Sequence, residues 1–438
     1  MEKLFDKVLQ CSDGGDLFKK EEQTSSVVML QGVVQKIQGK KAVDLALRIV
    51  KDNNMGSAVS TSVEDDTIIE RALISCKYQK QEPVQFTEKT PSIVQCFDKK
   101  VSDMSVEELA AEGQRVLDIF KKHEPGIIPD IYISNAIRNI HVINSKGFDN
   151  SYDKTEYSIS LSTKTAKGFT EIHDMLEASN YQQFSEEDIA RIITKHKISQ
   201  NRIGVDTGKM PVIFGGKAMG SLMMRFLAGI KASSVFKGIS PLEGKLAEQV
   251  FSKEITIRDN GMLTFGIGSC PFDDEGVATA NTLLVEKGEL KGYLAGISDA
   301  VKLQVSPTGN SFKRTLFTQD IEDAPALDST NLLIEGNNIP DEKLIKDIKY
   351  GIYVDSVMGA HTGNIIAGEY SLNIGCGYLI QDGEFTGKVM NAMVAGNIYE
   401  DFKKIAAIGT RNEVMRTIFY SMGYSPMILF KDLSIVGK

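Results

Sequence analysis

The sequence predicts an α+β protein: an N-terminal α/β layered domain over residues 1–205, followed by a β-rich C-terminal domain with few helices over residues 206–438. Three observations point there. At 438 residues the chain exceeds one ordinary core, and 42% hydrophobic with 25% charged residues is the balance of a folded globular protein. Up to about residue 200, helical and strand patterns alternate without a low-complexity linker. From about Pro211 the pattern changes to tight-turn pairs flanked by strand-like runs.

The chain opens on MEKLFDKVLQCSDGG, a charged amphipathic segment without the apolar run and cleavage site of a secretory signal. Between residues 41 and 53, Val43, Leu45, Leu47, Ile49 and Val50 read as an imperfect helical pattern. Ser105-Val-Glu-Glu108 has the form of a capping box, which predicts a helix to about residue 122. Residues 131–143 and 157–161 alternate as strands, joined by the turn-rich NSKGFDNSYDKT. Ser185-Glu-Glu-Asp188 caps a further helix to about residue 196. In the second domain, Asn260-Gly261, Lys287-Gly288 and Asp382-Gly383 each predict a hairpin turn. Two helices are expected to interrupt it, at about residues 217–230 and 389–405.

Composition excludes some function classes. The net charge is −8 and the basic residues are dispersed, so no basic stripe exists to neutralise phosphates and no direct nucleic-acid partner is expected. No stretch approaches the roughly 20 apolar residues of a membrane-spanning helix, so a cytoplasmic protein without a membrane partner is expected. Cys11, Cys76, Cys96, Cys270 and Cys376 are scattered and never form CxxC, which suits free thiols in a reducing compartment.

Catalytic signatures are sparse. His123-Glu124 is the sole His-Glu pair; the second zinc-binding histidine would fall at Ile127 or Ile128, and Pro125 makes the segment a helix end. His141 and His173 lack partners at metal-ligand spacing, and His196 lies in the basic last turn of its helix. His361, in the small-residue loop GAHTGN, can either approach a ligand closely or simply turn. There is no GxSxG elbow; Gly208-Lys209 is followed by Met210, and GIGSCP lacks the third glycine of a dinucleotide loop. Asp273-Asp274-Glu275 in GSCPFDDEG can supply paired carboxylates, or form a solvated turn whose side chains bond nearby backbone N–H groups. Met219, Leu222, Met223, Phe226, Leu227 and Ile230 make one apolar helix face, read as core with Met223 and Met224 as flexible fillers.

The segments NSKGFDNSYDKTEYSISLS, GSCPFDDEGVATANTLLVEKGELKGYL and PTGNSFKR, in that order, resemble the TldD/PmbA family, historically called modulators of DNA gyrase. The resemblance continues through GKLAEQV, GAHTGNIIAGEYSLNIG, VMNAMVAGNIYEDFKKIAAIG and LFKDLSIVGK, covering most of residues 140–438 and, more loosely, the N-terminal part. In that family the TldD type carries HExxxH on a helix shortly before a GK-x-x-E segment, and the PmbA or TldE type lacks it. Counting back from Gly244-Lys245-Leu-Ala-Glu248 puts Met223 and Met224 at the first His and the Glu, and Ala228 at the second His. The TldD type also has a late Cys ligand, but no cysteine follows Cys376 here.

The resemblance therefore implies a PmbA/TldE-type subunit with no catalytic residue, metal or cofactor of its own. Zinc would reside in a TldD-type catalytic partner, in a heterodimer or larger ring that degrades or trims extended, unfolded peptides; a homodimer is possible for the chain alone. Phe272, Asp273, Asp274, Glu275 and Gly276, with His361 and Thr362, are the candidate peptide-binding residues. Two alternatives stay open: a homo-oligomeric peptide-binding or chaperone-like protein without a catalytic partner, and a hydrolase using His361 with Asp273 and Asp274.

Overall fold

One antiparallel sheet organises the first half of the computed structural model, which describes residues 1–437 apart from 79–84, 89, 165–169, 315–320, 323 and 418–419. Its strands are β1 (Gly14–Leu30), β2 (Val33–Lys51), β3 (Asn54–Ser60), β4 (Asp130–Asn144), β5 (Asp149–Lys164) and β6 (Thr170–Ala178), in the order β3-β2-β1-β4-β5-β6. Residues 41–51, expected to be helical, belong to β2. Val43, Leu45, Leu47 and Ile49 recur every second residue, which puts them on one face of a strand. Leu45, Leu47 and Ile49 pack there on Leu4, Phe5 and Val8 of α1 (Glu2–Cys11) and on Ile68 and Ala72 of α2 (Thr67–Cys76).

After the five-residue helix α3 (Lys99–Asp103), α4 (Val106–His123) opens on the expected capping box. Ser105 Oγ accepts from the Glu108 N–H at 3.2 Å, and the Glu108 carboxylate accepts from the Ser105 N–H at 2.8 Å. Leu109, Val116 and Phe120 of α4 bury against Val27, Met29, Ile131, Ile133 and Ile159 of the sheet. The β4–β5 turn is shorter than expected, because β5 already begins at Asp149. Helix α5 (Glu186–Ser199) carries the second capping box, Ser185 with Asp188.

The second half is built on two further sheets. The strands β7 (Arg202–Ile203) and β8 (Gly208–Phe214) open it. Strand Tyr350–Met358 pairs with both β8 and Glu369–Gln381. Pairing then runs through Met393–Asn397 and Ile428–Val436 back to β8, which closes a barrel. A second sheet joins Glu289–Leu290, Asn281–Glu286, Thr256–Asn260, Leu332–Glu335, Ser421–Ser425 and Glu413–Arg416.

Helix α6 (Gly216–Ile230) lies between barrel and sheet, as its apolar face requires. Met219, Leu222, Met223, Phe226 and Ile230 share a core with Val212, Phe214 and Ile352 on one side and Ile257, Leu284 and Leu332 on the other. Gly220 permits this closeness, since a Cβ there would stand 2.4 Å from the Arg416 carbonyl oxygen.

Two hairpins form as expected at Lys287-Gly288 (φ 46° and 79°) and Asp382-Gly383 (φ 48° and 81°), both residues of each pair adopting positive φ. Asn260-Gly261 makes none. The following segment runs through turns because Gly266 and Gly268 press onto Asn331 and the Thr330 backbone, where no strand partner can lie. Nor is 389–405 one helix: it divides into strand Met393–Asn397, the short helix Ile398–Asp401, capped by the Asn397 side chain, and a 3-10 turn, Phe402–Lys404. Three short helices, Ala232–Phe236, Ile297–Leu303 and Asp341–Lys346, come in addition to those expected. Among the described residues no helix is long and apolar enough to cross a membrane.

Candidate functional site

Where β6, α6 and the strand Tyr350–Met358 converge, they enclose a cavity of about 390 Å³ lined by Glu171, His173, Lys217, Met224, Asp355 and Cys376, among others. Lys217 is in the first turn of α6. Its amine lies 3.3 Å from Asp355 and 3.6 Å from Asp174, and donates to the His173 carbonyl at 3.1 Å. Lys195, from α5, reaches Asp355 at 2.6 Å. Burial alone would raise the Asp355 pKa, yet the two lysines hold it well below the usual carboxylate range. Burial would also lower the lysines, but Asp355 and its acidic neighbours keep both above their ordinary value. His173 is pushed down, first by burial and then by Lys217, which favours the neutral ring. Glu171 pairs with Lys388 at 2.8 Å and Arg202 at 3.0 Å.

These charges are committed to one another, so the cavity can hold a side chain but offers no free carboxylate base for activating water. Met224 contributes a thioether to its lining. Met223 is buried in the core between barrel and sheet, and Ala228 is buried one turn further on, its carbonyl accepting from Ser234 Oγ at 2.8 Å. A five-residue spacing sets positions 223 and 228 about 140° apart on a regular helix. Thioethers and a methyl do not fit zinc, which takes imidazole, carboxylate or thiolate donors. Among the described residues no group of three or more His, Cys, Asp and Glu stands ready to hold a metal ion.

The PFDDEG loop is a turn, but not a solvated one. The Asp273 carboxylate is 1% exposed and accepts from the backbone N–H groups of Glu275, Val277 and Ser311 at 2.8–3.0 Å. Burial, with Glu275 adjacent, pushes its pKa well up. Asp274 accepts from the Lys313 N–H at 2.6 Å. Glu275 reaches Arg48 of β2 at 3.3 Å, and Arg48 is also paired with Asp16 of β1, tying the loop to the first sheet. Phe272 packs edge-on against Phe148 and Tyr152, and Gly276 (φ +80°) leaves room above the Phe148 ring.

The GAHTGN loop is held from beneath by Arg225 of α6. This arginine is fully buried and donates to the carbonyls of Glu369 (2.6 Å), Ser221 (2.7 Å), Thr362 (2.8 Å) and Ala360 (3.0 Å). Burial, unopposed by a carboxylate partner, pushes its pKa down to about 10. His361 and Thr362 are exposed, and Thr362 Oγ1 donates to the Gly359 carbonyl at 2.7 Å.

Asp273 is thus saturated by backbone donors while His361 stands on an exposed loop, and the hydrolase arrangement that would combine them is not assembled. The other histidines have structural surroundings: His123 ends α4 near Glu186, His141 lies 2.7 Å from Asp149, and His196 contacts Thr163 at 2.8 Å. The five cysteines are free thiols. Sequence reasoning missed Lys195, Lys217, Asp355 and Glu171 altogether. They come from separate segments with no local spacing to announce them.

Closed barrel, second sheet and intervening apolar helix, joined to a roofed antiparallel sheet, define an α+β architecture with a β-rich second half. The chain belongs to the PmbA/TldA metallopeptidase family: the model described as the PmbA/TldA metallopeptidase C-terminal domain matches residues 207–437. Among its relatives, an uncharacterised protein of Methanocaldococcus jannaschii is 26% identical over 392 residues, covering 88% of each chain. Metalloprotease PmbA of Escherichia coli O157:H7 is 25% identical over 448 residues, covering 98% of this chain and 93% of that one. The crystal structure of TldE from Thermococcus kodakarensis shares the fold over all of both chains, with a TM-score of 0.91 at 22% identity.

Proposed function

We propose that this chain is the non-catalytic, PmbA/TldE-like subunit of a cytosolic zinc metallopeptidase assembly, holding extended or unfolded peptide while a TldD-type partner carries the zinc and cuts. One observation carries the reading: the helix that counts into register with the family's zinc helix bears Met223, Met224 and Ala228, and Met224 faces a cavity whose charges are all committed. The peptide-holding part is supported by β2. It pairs with β3 only from Leu45 onward, so the outer edge of residues 33–44 has no strand partner among the described residues and can add an extended chain through main-chain bonds.

The test is to measure zinc content and cleavage of an unstructured peptide for the purified chain, alone and mixed with the TldD-type protein of the same genome. The expected result is substoichiometric zinc and no cleavage alone, with cleavage on mixing. Chelator-sensitive cleavage by the chain alone would overturn the proposal, and peptide binding by a homo-oligomer that gains nothing from the partner would favour a chaperone-like role.

A further inference from the structure

A second cavity, of about 270 Å³, lies between the face of the first sheet opposite α4 and the loops of the second half. The sheet supplies it with an unusual wall. Lys20 and Glu22 of β1, Arg138 of β4, and Lys154 and Glu156 of β5 all project from the face that a solvated sheet would turn to water, but here the segments 267–274 and 312–314 roof them over. Six cationic side chains line this space (Lys20, Arg138, Lys154, Lys313, Arg314, Arg416) against four carboxylates, Glu22, Glu156, Glu177 and Asp274.

The four carboxylates already have partners. Glu22 and Glu156 both pair with Arg138; Glu177 pairs with Arg416 and accepts from Ser421 Oγ at 2.5 Å; Asp274 takes the Lys313 N–H. Of the remaining cations, Lys20 is 3.2 Å from Asp44 and Arg314 is 3.2 Å from Asp328, both outside the lining. Lys154 is different. Its amine donates to the Ile267 carbonyl but makes no ion pair with any described carboxylate. Burial lowers its pKa, and the pull of Cys270 and of Glu156, which is itself paired with Arg138, does not make up for it. Beside these charges Phe18, Ile140 and Phe312 give the cavity an apolar flank.

We infer that this cavity is an oxyanion pocket whose occupant is the carboxylate end of a peptide, with Lys154 facing the carboxylate and the apolar flank taking the last side chain. A small oxyanion there would give the Lys154 amine the ion-pair partner it lacks among the described residues, and charge-assisted hydrogen bonds to lysine and arginine shielded from bulk water are the strong ones. The inference rests on the peptide-holding reading above and specifies which part of the peptide is held.

Binding of one unstructured peptide, measured by calorimetry with the full chain in its free-acid and C-terminally amidated forms, separates the two ideas. The expected result is at least about tenfold weaker binding of the amide. Lys154→Met should bring the free acid down to the affinity of the amide, and Lys154→Arg should retain the preference. Equal affinity of acid and amide for the unaltered chain would overturn the carboxylate pocket and leave the peptide-holding reading standing; no binding of either form would overturn both. Inorganic phosphate binding more tightly than the free-acid peptide, and losing that binding in Lys154→Met, would assign the pocket to a free oxyanion and overturn the peptide end as its occupant.

Discussion

Asp355 is 2% exposed, yet it is held ionised by Lys195 and Lys217, which approach from α5 and α6. Removing its charge leaves two lysines in a confined space without their principal partner, a change that in comparable buried pairs costs about 3–5 kcal/mol. Asp355→Asn is therefore expected to lower stability at neutral pH by about that amount, measured by urea unfolding. The pH dependence has a definite sign. Because the folded-state pKa of Asp355 lies below its unfolded value, its contribution is complete above about pH 4 and fades as pH falls toward the folded pKa. The gap between wild type and variant should narrow in acid; a gap that widened there would contradict the assignment. Nothing in the sequence announces this trio, since an ion cluster assembled from three segments leaves no periodicity. Asp273 is the opposite case. Its bonds to the N–H groups two and four residues on are local and were readable, but its third donor, the Ser311 N–H, lies elsewhere in the chain.

Helix α6 was legible because its apolar residues repeat at the helical period, and the two capping boxes were legible because their bonds span only three residues. Strand β2 was misread because Val50, on the opposite face from Ile49, interrupts an otherwise two-residue repeat. Residues 389–405 failed for a related reason: the Asn397 cap starts a helix that ends after one turn, and a short strand precedes it. The most consequential link at this scale is Arg225, which fastens the GAHTGN loop to α6 through carbonyl groups that no sequence pattern marks. Arg225→Met should leave those carbonyls unsatisfied and lower stability by about 3 kcal/mol. Hydrogen exchange should rise first and most in residues 359–369. Unchanged exchange there would mean the loop holds its shape without the arginine.

The two halves are joined more tightly than a boundary near residue 205 suggests. Ile213, Tyr353 and Tyr378 of the barrel belong to the same hydrophobic cluster as Val27, Ile133 and Phe120 of the first half. Polar links add to it: Arg48 to Glu275, Glu171 to Lys388, Lys195 to Asp355, and Ser179 Oγ to the Gly266 carbonyl at 3.1 Å. The sequence marks where strand chemistry changes, but not this shared core, because its members lie hundreds of positions apart and each looks like ordinary core within its own element. The consequence is a prediction about cooperativity. Chains of this length commonly unfold domain by domain, since an interface between halves is usually small and polar. Here, unfolding the first sheet would expose Tyr353 and Tyr378 and strand the lysines and carboxylates of the seam, so partial unfolding carries a penalty from both hydrophobic and ionic groups. Pulse-labelling hydrogen exchange across a urea series should give the same midpoint for peptides from β1, β4 and β5 as for peptides from Glu369–Gln381 and Ile428–Val436. Separate midpoints would show that the shared core does not couple the halves.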